Sequence, residues 1–236
     1  MLFRSVSQSR YDAFTYDSST ITYFAAGASG TLTTSTDSIS WTLRTSGFGA
    51  AVINTLAYAS DKSEKYIAAG GSGGVASSTD SIAWRLRTTG FGNNAISSSY
   101  YINGLYIVTA AAGNVATSTD AITWRLRTSG FGTSEINAIT YANDTFIIGG
   151  ANGTMAYASL TDILNGTGVF SVSTDTVSWQ VRTVGNGLHL FNNVNSINSS
   201  GTLYMIGGRN SNLTPLLLHS TDTISWVLRT SIITSS

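Results

Sequence analysis

Apolar and polar residues alternate in short bursts along this chain, and no stretch keeps a 3.6-residue period, so strands are expected and helix should be scarce. The segment EINAITYAN, Glu135 to Asn143, alternates as a half-buried strand does, and Thr145 to Gly150 predicts a second strand. Asn152-Gly153 is a type I′ hairpin signal, Thr154 to Ser159 opens a third strand, and Val177 to Thr183 forms a fourth. The same order appears near the start: Tyr11 to Tyr16, Ile21 to Ala26, Thr31 to Ser35, then Ile39 to Thr45.

This four-strand pattern is repeated. STDSISWTLRT (Ser35 to Thr45), STDSIAWRLRT (Ser78 to Thr88), STDAITWRLRT (Ser118 to Thr128), STDTVSWQVRT (Ser173 to Thr183) and STDTISWVLRT (Ser220 to Thr230) share S-T-D-x-[IV]-x-W-x-[LV]-R-T. The tryptophans Trp41, Trp84, Trp124, Trp179 and Trp226 are spaced by 43, 40, 55 and 47 residues. Periods of roughly 40–50 residues with four strands each suit the blades of a β-propeller. The expectation is one all-β domain over residues 1–236, a five-bladed β-propeller with four antiparallel strands per blade. Its blades would run approximately 6–46, 47–89, 90–129, 130–184 and 185–231. The long interval holds an expanded loop at Ser159 to Gly168, and blade five a smaller one at Arg209 to Thr214.

The repeated residues have structural readings. Asp37, Asp80, Asp120, Asp175 and Asp222 stand where a short carboxylate can accept backbone N–H bonds in an Asx turn before the outer strand. Each Trp and the Leu or Val two residues on share a strand face, expected to pack against the adjoining blade. Arg44, Arg87, Arg127, Arg182 and Arg229 fall on the other face, with stems expected to lie buried and guanidinium groups bonded to carbonyls or carboxylates. Small residues such as Ala25-Ala26-Gly27 and Gly149-Gly150 suit crowded inner strands; none of the glycine clusters fits a phosphate loop.

Composition narrows the function classes. Only 10% of residues are charged, against roughly a quarter in an average soluble domain. Twelve basic and twelve acidic side chains cancel, leaving no field to draw in a phosphate backbone, so no nucleic-acid partner is expected. No apolar run is long enough to span a bilayer as a helix, and the first ten residues lack the apolar core of a signal peptide. Neither membrane insertion nor a secretory leader is expected. With no cysteine, the redox compartment stays unread.

The S-T-D-x-[IV]-x-W segment resembles the Asp-box, or BNR repeat, of sialidase-type propellers, with Ile39, Ile82, Ile122, Val177 and Ile224 where that family carries glycine. The fuller string STDAITWRLRTSGFG, followed by INAITYAN, is similar to BNR-like repeats of bacteriophage tail, fibre and other virion proteins, notably of marine and cyanobacterial phages. The resemblance covers nearly the whole chain. It implies a virion structural or host-attachment module, present in several copies of a symmetric assembly, with other virion proteins or a host-surface glycan as partner. A free lectin-like protein and an intracellular scaffold are the alternatives.

Catalysis is not expected. Sialidases of this repeat class use an arginine triad, a Tyr–Glu pair and an acidic proton donor, whereas this chain has only Glu64 and Glu135, and most of its arginines belong to the motif. His189 and His219 are the only histidines, which is too sparse for a metal site, and no cofactor is implied. The candidate ligand-binding residues are Phe48, Phe91 and Phe131 in the G-F-G loops between blades, where an aromatic ring between glycines would stack on a sugar. The plainer alternative, which we prefer, tucks each Phe under the next blade as a staple. Leu2-Phe3-Arg4-Ser5 echoes the end of the motif, so Met1 to Ser5 is expected at the ring closure or as an attachment arm, without a swapped strand.

Overall fold

The computed structural model describes residues 10–152, 154–164, 171–172, 193–200, 203–209, 215–220 and 227–229. Twenty strands are described: β1 (Tyr11–Asp17), β2 (Thr22–Gly27), β3 (Leu32–Ser35), β4 (Thr42–Arg44), β5 (Ile53–Tyr58), β6 (Tyr66–Gly70), β7 (Gly74–Ser78), β8 (Arg85–Thr88), β9 (Ile96–Ile102), β10 (Leu105–Ala110), β11 (Val115–Ser118), β12 (Arg125–Arg127), β13 (Ile136–Ala142), β14 (Thr145–Gly150), β15 (Met155–Ser159), β16 (Ser171–Val172), β17 (Asn193–Ser200), β18 (Leu203–Arg209), β19 (Pro215–Ser220) and β20 (Val227–Arg229). They form five four-stranded antiparallel sheets, and within each sheet the strand order follows the chain.

Local chemistry sets the turns. The β2–β3, β6–β7 and β10–β11 connections reverse through left-handed pairs at Ser29-Gly30, Ser72-Gly73 and Ala112-Gly113, the conformation of a tight I′-type turn. Asn103-Gly104 and Asn143-Asp144 do the same between β9 and β10 and between β13 and β14. Asn152 is left-handed as its hairpin signal requires; Gly153 lies outside the described residues. Each first strand carries a bulge near its start, at Asp12, Asn54, Asn137 and Asn195, and at Ser97 in the third sheet.

By contact the chain divides into two units, Met1–Ala110 with Ala116–Leu126, and Ala111–Val115 with Arg127–Ser236. Within the first unit, the seam between the first two sheets is filled by Ala13, Ala26, Leu32, Phe48, Ile53, Ala68 and Ala76, with Leu56 and Trp84 at its edge. The seam between the second and third sheets holds Ile67, Ala69, Val75, Phe91, Ile96, Tyr106, Val108 and Ala116, with Tyr101 and Trp124 packed against them. In the second unit, Val194 and Ile197 of β17 press on Gly149 of β14. A Cβ there would stand 2.8 Å from the Ile197 Cδ1 methyl and 2.9 Å from Val194 Cγ1, so any larger residue would force these side chains to shift.

Two sequence expectations are corrected, one falls outside the described residues and one loop gains a short helix. The outer strands are short: β4 begins at Thr42 and leaves Ile39 to Trp41 in the turn. The Leu two residues after Trp41, Trp84 and Trp124 does not share a buried face, since Leu43, Leu86 and Leu126 are 65%, 53% and 54% exposed. Leu86 and Leu126 instead lie over Gly47 and Gly90 of the preceding connection, near the rim where no further layer covers them. In the fourth sheet the strand beside β15 is β16, and the expected Val177 to Thr183 strand lies outside the described residues. The expected loop at Ser159 to Gly168 begins with a five-residue helix, α1 (Leu160–Leu164).

Candidate functional site

The Asp-motif turns are built identically in the first three sheets. Asp37 Oδ1 accepts from the backbone N–H groups of Ile39 and Ser40 at 2.8 and 2.7 Å, and from Ser35 Oγ at 2.9 Å. Asp80 is bonded by Ile82, Ala83 and Ser78, and Asp120 by Ile122, Thr123 and Ser118. These donors hold the Asp37 carboxyl down to about 2 and lower Asp80 as well; in Asp120 burial acts the other way and the bonds outweigh it. The left-handed residue of the turn is Ser38, Ser81 or Ala121, directly after Asp. The next position therefore needs no glycine, which explains why Ile39, Ile82 and Ile122 are accommodated there.

Trp41 and Trp84 are half-buried and donate Nε1–H to the carbonyls of Ser38 and Ser81 at 3.3 and 3.1 Å. Arg44 and Arg87 donate Nε–H to Thr34 Oγ1 and Ser77 Oγ, both at 2.9 Å, and Arg127 reaches the Ile163 carbonyl at 3.1 Å. Asp175, Trp179, Arg182, Asp222, Trp226 and His189 lie outside the described residues; Arg229 ends β20.

The candidate rings Phe48, Phe91 and Phe131 are only 8%, 3% and 4% exposed, so none presents a face on which a sugar could stack. Phe48 and Phe91 fill the two seams of the first unit, the staple geometry. Each loop is pinned by a hydroxyl that the motif reading passed over. Ser46 Oγ donates to the Gly30 carbonyl at 2.7 Å and accepts from Phe48 N–H at 3.2 Å; Thr89 does the same with Gly73 and Phe91, and Ser129 with Gly113 and Phe131. The signal was present as the Ser or Thr before each G-F-G.

A polar cluster not foreseen from the motif stands at each seam of the first unit, on the side of the β1–β2 and β3–β4 turns. At the first seam Asp17 is fully buried and accepts from Ser19 N–H and Oγ–H, Thr20 Oγ–H and the Tyr66 hydroxyl, while Ser19 also meets the Tyr58 hydroxyl at 3.1 Å. Burial would raise this carboxyl, but the bonds outweigh it and hold it far below the usual range; burial and Asp17 push Tyr66 up. That cluster is closed.

The second seam differs. Here β5 and β6 are joined by residues 59–65, a longer link than the two-residue turns after β9 and β13, and it supplies Asp61, Lys62 and Glu64. The Tyr106 hydroxyl donates to the Glu64 carbonyl at 2.5 Å, and the Tyr101 hydroxyl donates to the Asp61 carboxylate. The two rings lie 4.6 Å apart at 47°. Arg87 Nη2 reaches Glu64 Oε1 at 3.3 Å, with both side chains largely buried. Glu64 Oε2 and Trp124 Nε1 are buried with no hydrogen-bond partner. Tyr101 donation lowers Asp61, while burial first and then Asp61 raise Tyr101; burial chiefly raises Tyr106.

Among the described residues, no group of three or more His, Asp or Glu side chains is arranged to hold a metal, and no helix is long and apolar enough to cross a membrane.

This architecture is shared with solved structures. The chain is similar to the RRP9 WD40 repeats (TM-score 0.66, 11% identity, 92% of this chain and 64% of that one) and to U3-55K (0.67, 11%, 94% and 67%). It is also similar to the GH74 enzyme of Niastella koreensis (0.59, 18%, 92% and 31%). The chain thus spans about two thirds of the first two and about a third of the last. No protein-family model and no curated protein matches it. At these identities the likeness establishes fold alone: the protein is of the β-propeller type.

Proposed function

We propose that the protein is a non-catalytic binding module of a bacteriophage virion, a five-bladed ring that attaches the particle to a host-surface glycan. The observation that carries the binding reading is the second seam. A loop departing from the repeat ties Asp61 to Tyr101 and Glu64 to Arg87 and Tyr106, and loops that depart from a rigid scaffold's repeat are where binding residues concentrate. The virion assignment rests on the likeness of STDAITWRLRTSGFG and INAITYAN to phage BNR-like repeats. The partners are other virion proteins and the glycan, with no nucleic acid, membrane insertion, metal or cofactor involved.

Five blades are supported by five sheets of one pattern.

The function is tested by mass spectrometry of purified particles together with a glycan array of the isolated protein. Stoichiometric copies in the particle and saturable glycan binding support it. Copies in the particle without glycan binding reduce it to a structural module. Glycan binding without particle incorporation favours a free lectin, and failure of both favours a scaffold.

A further inference from the structure

Two positions of the repeated motif are apolar in all five copies: the Ile or Val two residues after Asp, and the Leu or Val two residues after Trp. The residues on either side of Trp meanwhile drift among Ser, Ala, Thr, Arg, Gln and Val. In the first unit the apolar side chains face solvent. Ile39, Ile82 and Ile122 are 82%, 56% and 43% exposed, and Leu43, Leu86 and Leu126 are each more than half exposed. An exposed side chain contributes little to folding, so burial within the chain does not account for these positions staying apolar while their neighbours drift. The surface also runs from one motif to the next. A Cβ on Gly47 would stand 3.2 Å from Leu86, and one on Gly90 3.4 Å from Leu126, so each Leu lies on the connection that leaves the preceding motif. A repeated, continuous apolar surface of this kind marks a protein contact.

We propose that this outer surface of the first unit docks a second copy of the chain, related by a two-fold axis with the outer strands of the two copies antiparallel. A two-fold interface has to be self-complementary. The second and third motifs each carry both signs of charge: an exposed Asp in the turn, Asp80 or Asp120, and an exposed Arg five residues on, Arg85 or Arg125. Antiparallel strands set the turn of one copy beside the strand of the other, so that Asp faces Arg and the isoleucines meet the leucines between them. With a net charge of zero and only 10% of residues charged, no long-range repulsion keeps two copies apart. The motif segments Ser35 to Thr45, Ser78 to Thr88 and Ser118 to Leu126 hold eight, seven and six exposed residues. Together they reach the low end of the roughly 20–30 residues that each side of a standard interface uses, which fits a weak dimer with a dissociation constant of about 10–100 µM. The loop over residues 59–65 joins β5 and β6, towards the opposite edge of its sheet from β8, so the two surfaces are distinct. Self-association goes beyond the glycan and virion readings and does not rest on them.

The test is sedimentation of the full chain from about 5 to 500 µM, a range that brackets the expected constant. The expected result is a shift from the monomer mass to twice that mass as concentration rises. Two variants locate the contact. Ile39→Thr, Ile82→Thr and Ile122→Thr combined keep β-branching, and with it the backbone preference of the turns, but remove apolar surface. Arg85→Glu with Arg125→Glu turns each Asp–Arg meeting into a repulsion. Each variant should dimerise at least about tenfold more weakly, a change of about 1.4 kcal/mol, while its urea midpoint at about 2 µM, where the copies are apart, matches the wild type. A wild type that stays monomeric at about 500 µM overturns the proposal and leaves the surface to a different protein. An unchanged constant in either variant overturns it too, because the dimer then forms through another face or another arrangement. A lower urea midpoint in the dilute isoleucine variant also counts against it, since those side chains would then serve the fold of the single chain.

Discussion

The side-chain amide of Asn54 donates to the carbonyl of Ile96 at 2.7 Å, joining the bulge of β5 to the first strand of the next sheet. Asn137 repeats the bond to Val194 at 3.0 Å in the second unit. Asp12 holds the same bulge position in β1, where a carboxylate has no proton to donate, and its Oδ2 is buried without a partner. The first sheet therefore lacks a bond that the second and fourth sheets make. Asp12→Asn should supply the missing donor to the equivalent carbonyl, that of Ile53. Its ion pair with Arg10 is a small loss, because Arg10 is 81% exposed. The expected gain is about 0.5–1.5 kcal/mol, read as a higher urea midpoint with unchanged slope. An unchanged or lower midpoint would show that the bulge positions are not equivalent.

Phe91→Ala should cost about 3–5 kcal/mol, because the ring is 3% exposed and surrounded by Ile67, Val75 and Ile96. Phe91→Leu, closer in volume, should cost less than half of that. Chemical denaturation of the two variants measures the difference. A binding defect in Phe91→Ala would then report unfolding, whereas a near-neutral result would return the ring to the list of contact residues.

The repeat could be read directly because each blade has to solve the same problem, and the solution uses a few residues at fixed spacing. Asp37 and its counterparts announce a turn since only a short carboxylate reaches two successive N–H groups. The Leu after each Trp misled because strand alternation tells which side a residue faces and says nothing of whether another layer covers it. Leu86 lies over Gly47 of the preceding connection yet stays 53% exposed. The second-seam cluster was not legible for a different reason. Asp61, Glu64 and Tyr101 belong to no repeated motif, and the motif that contains Arg87 does not announce its bond to Glu64; only the loop over residues 59–65, unusually long for its hairpin, marks the place.

Trp84 and Leu86 separate these two kinds of rim position. Trp84 contacts the buried Tyr66 ring at 6.4 Å and bonds Ser81, so Trp84→Ala should lose about 2 kcal/mol, part of the cost of a fully buried ring. Leu86→Ala, at a side chain 53% exposed, should lose less than about 1 kcal/mol. Equal losses in paired denaturation curves would mean that Leu86 is covered in the working protein.

Gly73 meets two constraints at once. Its φ is +62°, and a Cβ would stand 2.5 Å from the Gly92 carbonyl, a backbone atom that cannot yield without moving the Phe91 loop. Gly73→Ala should destabilise by about 1–3 kcal/mol, while Gly49→Ala, also left-handed at +59° but with open space around it, should cost about 1 kcal/mol or less. Similar losses at the two sites would show that conformation alone, and not the close approach, sets the cost.

Acid should weaken the fold, and the direction follows from the hydrogen bonds. Asp17, Asp37, Asp80 and Asp120 are all depressed in the folded chain, Asp37 to about 2, against about 3.9 for an unfolded aspartate. A depressed carboxyl contributes stability that is complete above its unfolded value and is lost as pH falls through its folded one. The denaturation midpoint should therefore be flat from pH 7 to about 5 and fall between about 4 and 2. Tyr66, Tyr101 and Tyr106 are raised, so the opposite limb should appear only above about pH 10, where the unfolded phenols ionise first. Asp17→Asn keeps an acceptor for Tyr66 but cannot ionise, and should start lower in stability at pH 7 with a shallower acid limb. A wild-type midpoint that rises on acidification from pH 5 to 3 would contradict the bonding found at every one of these turns.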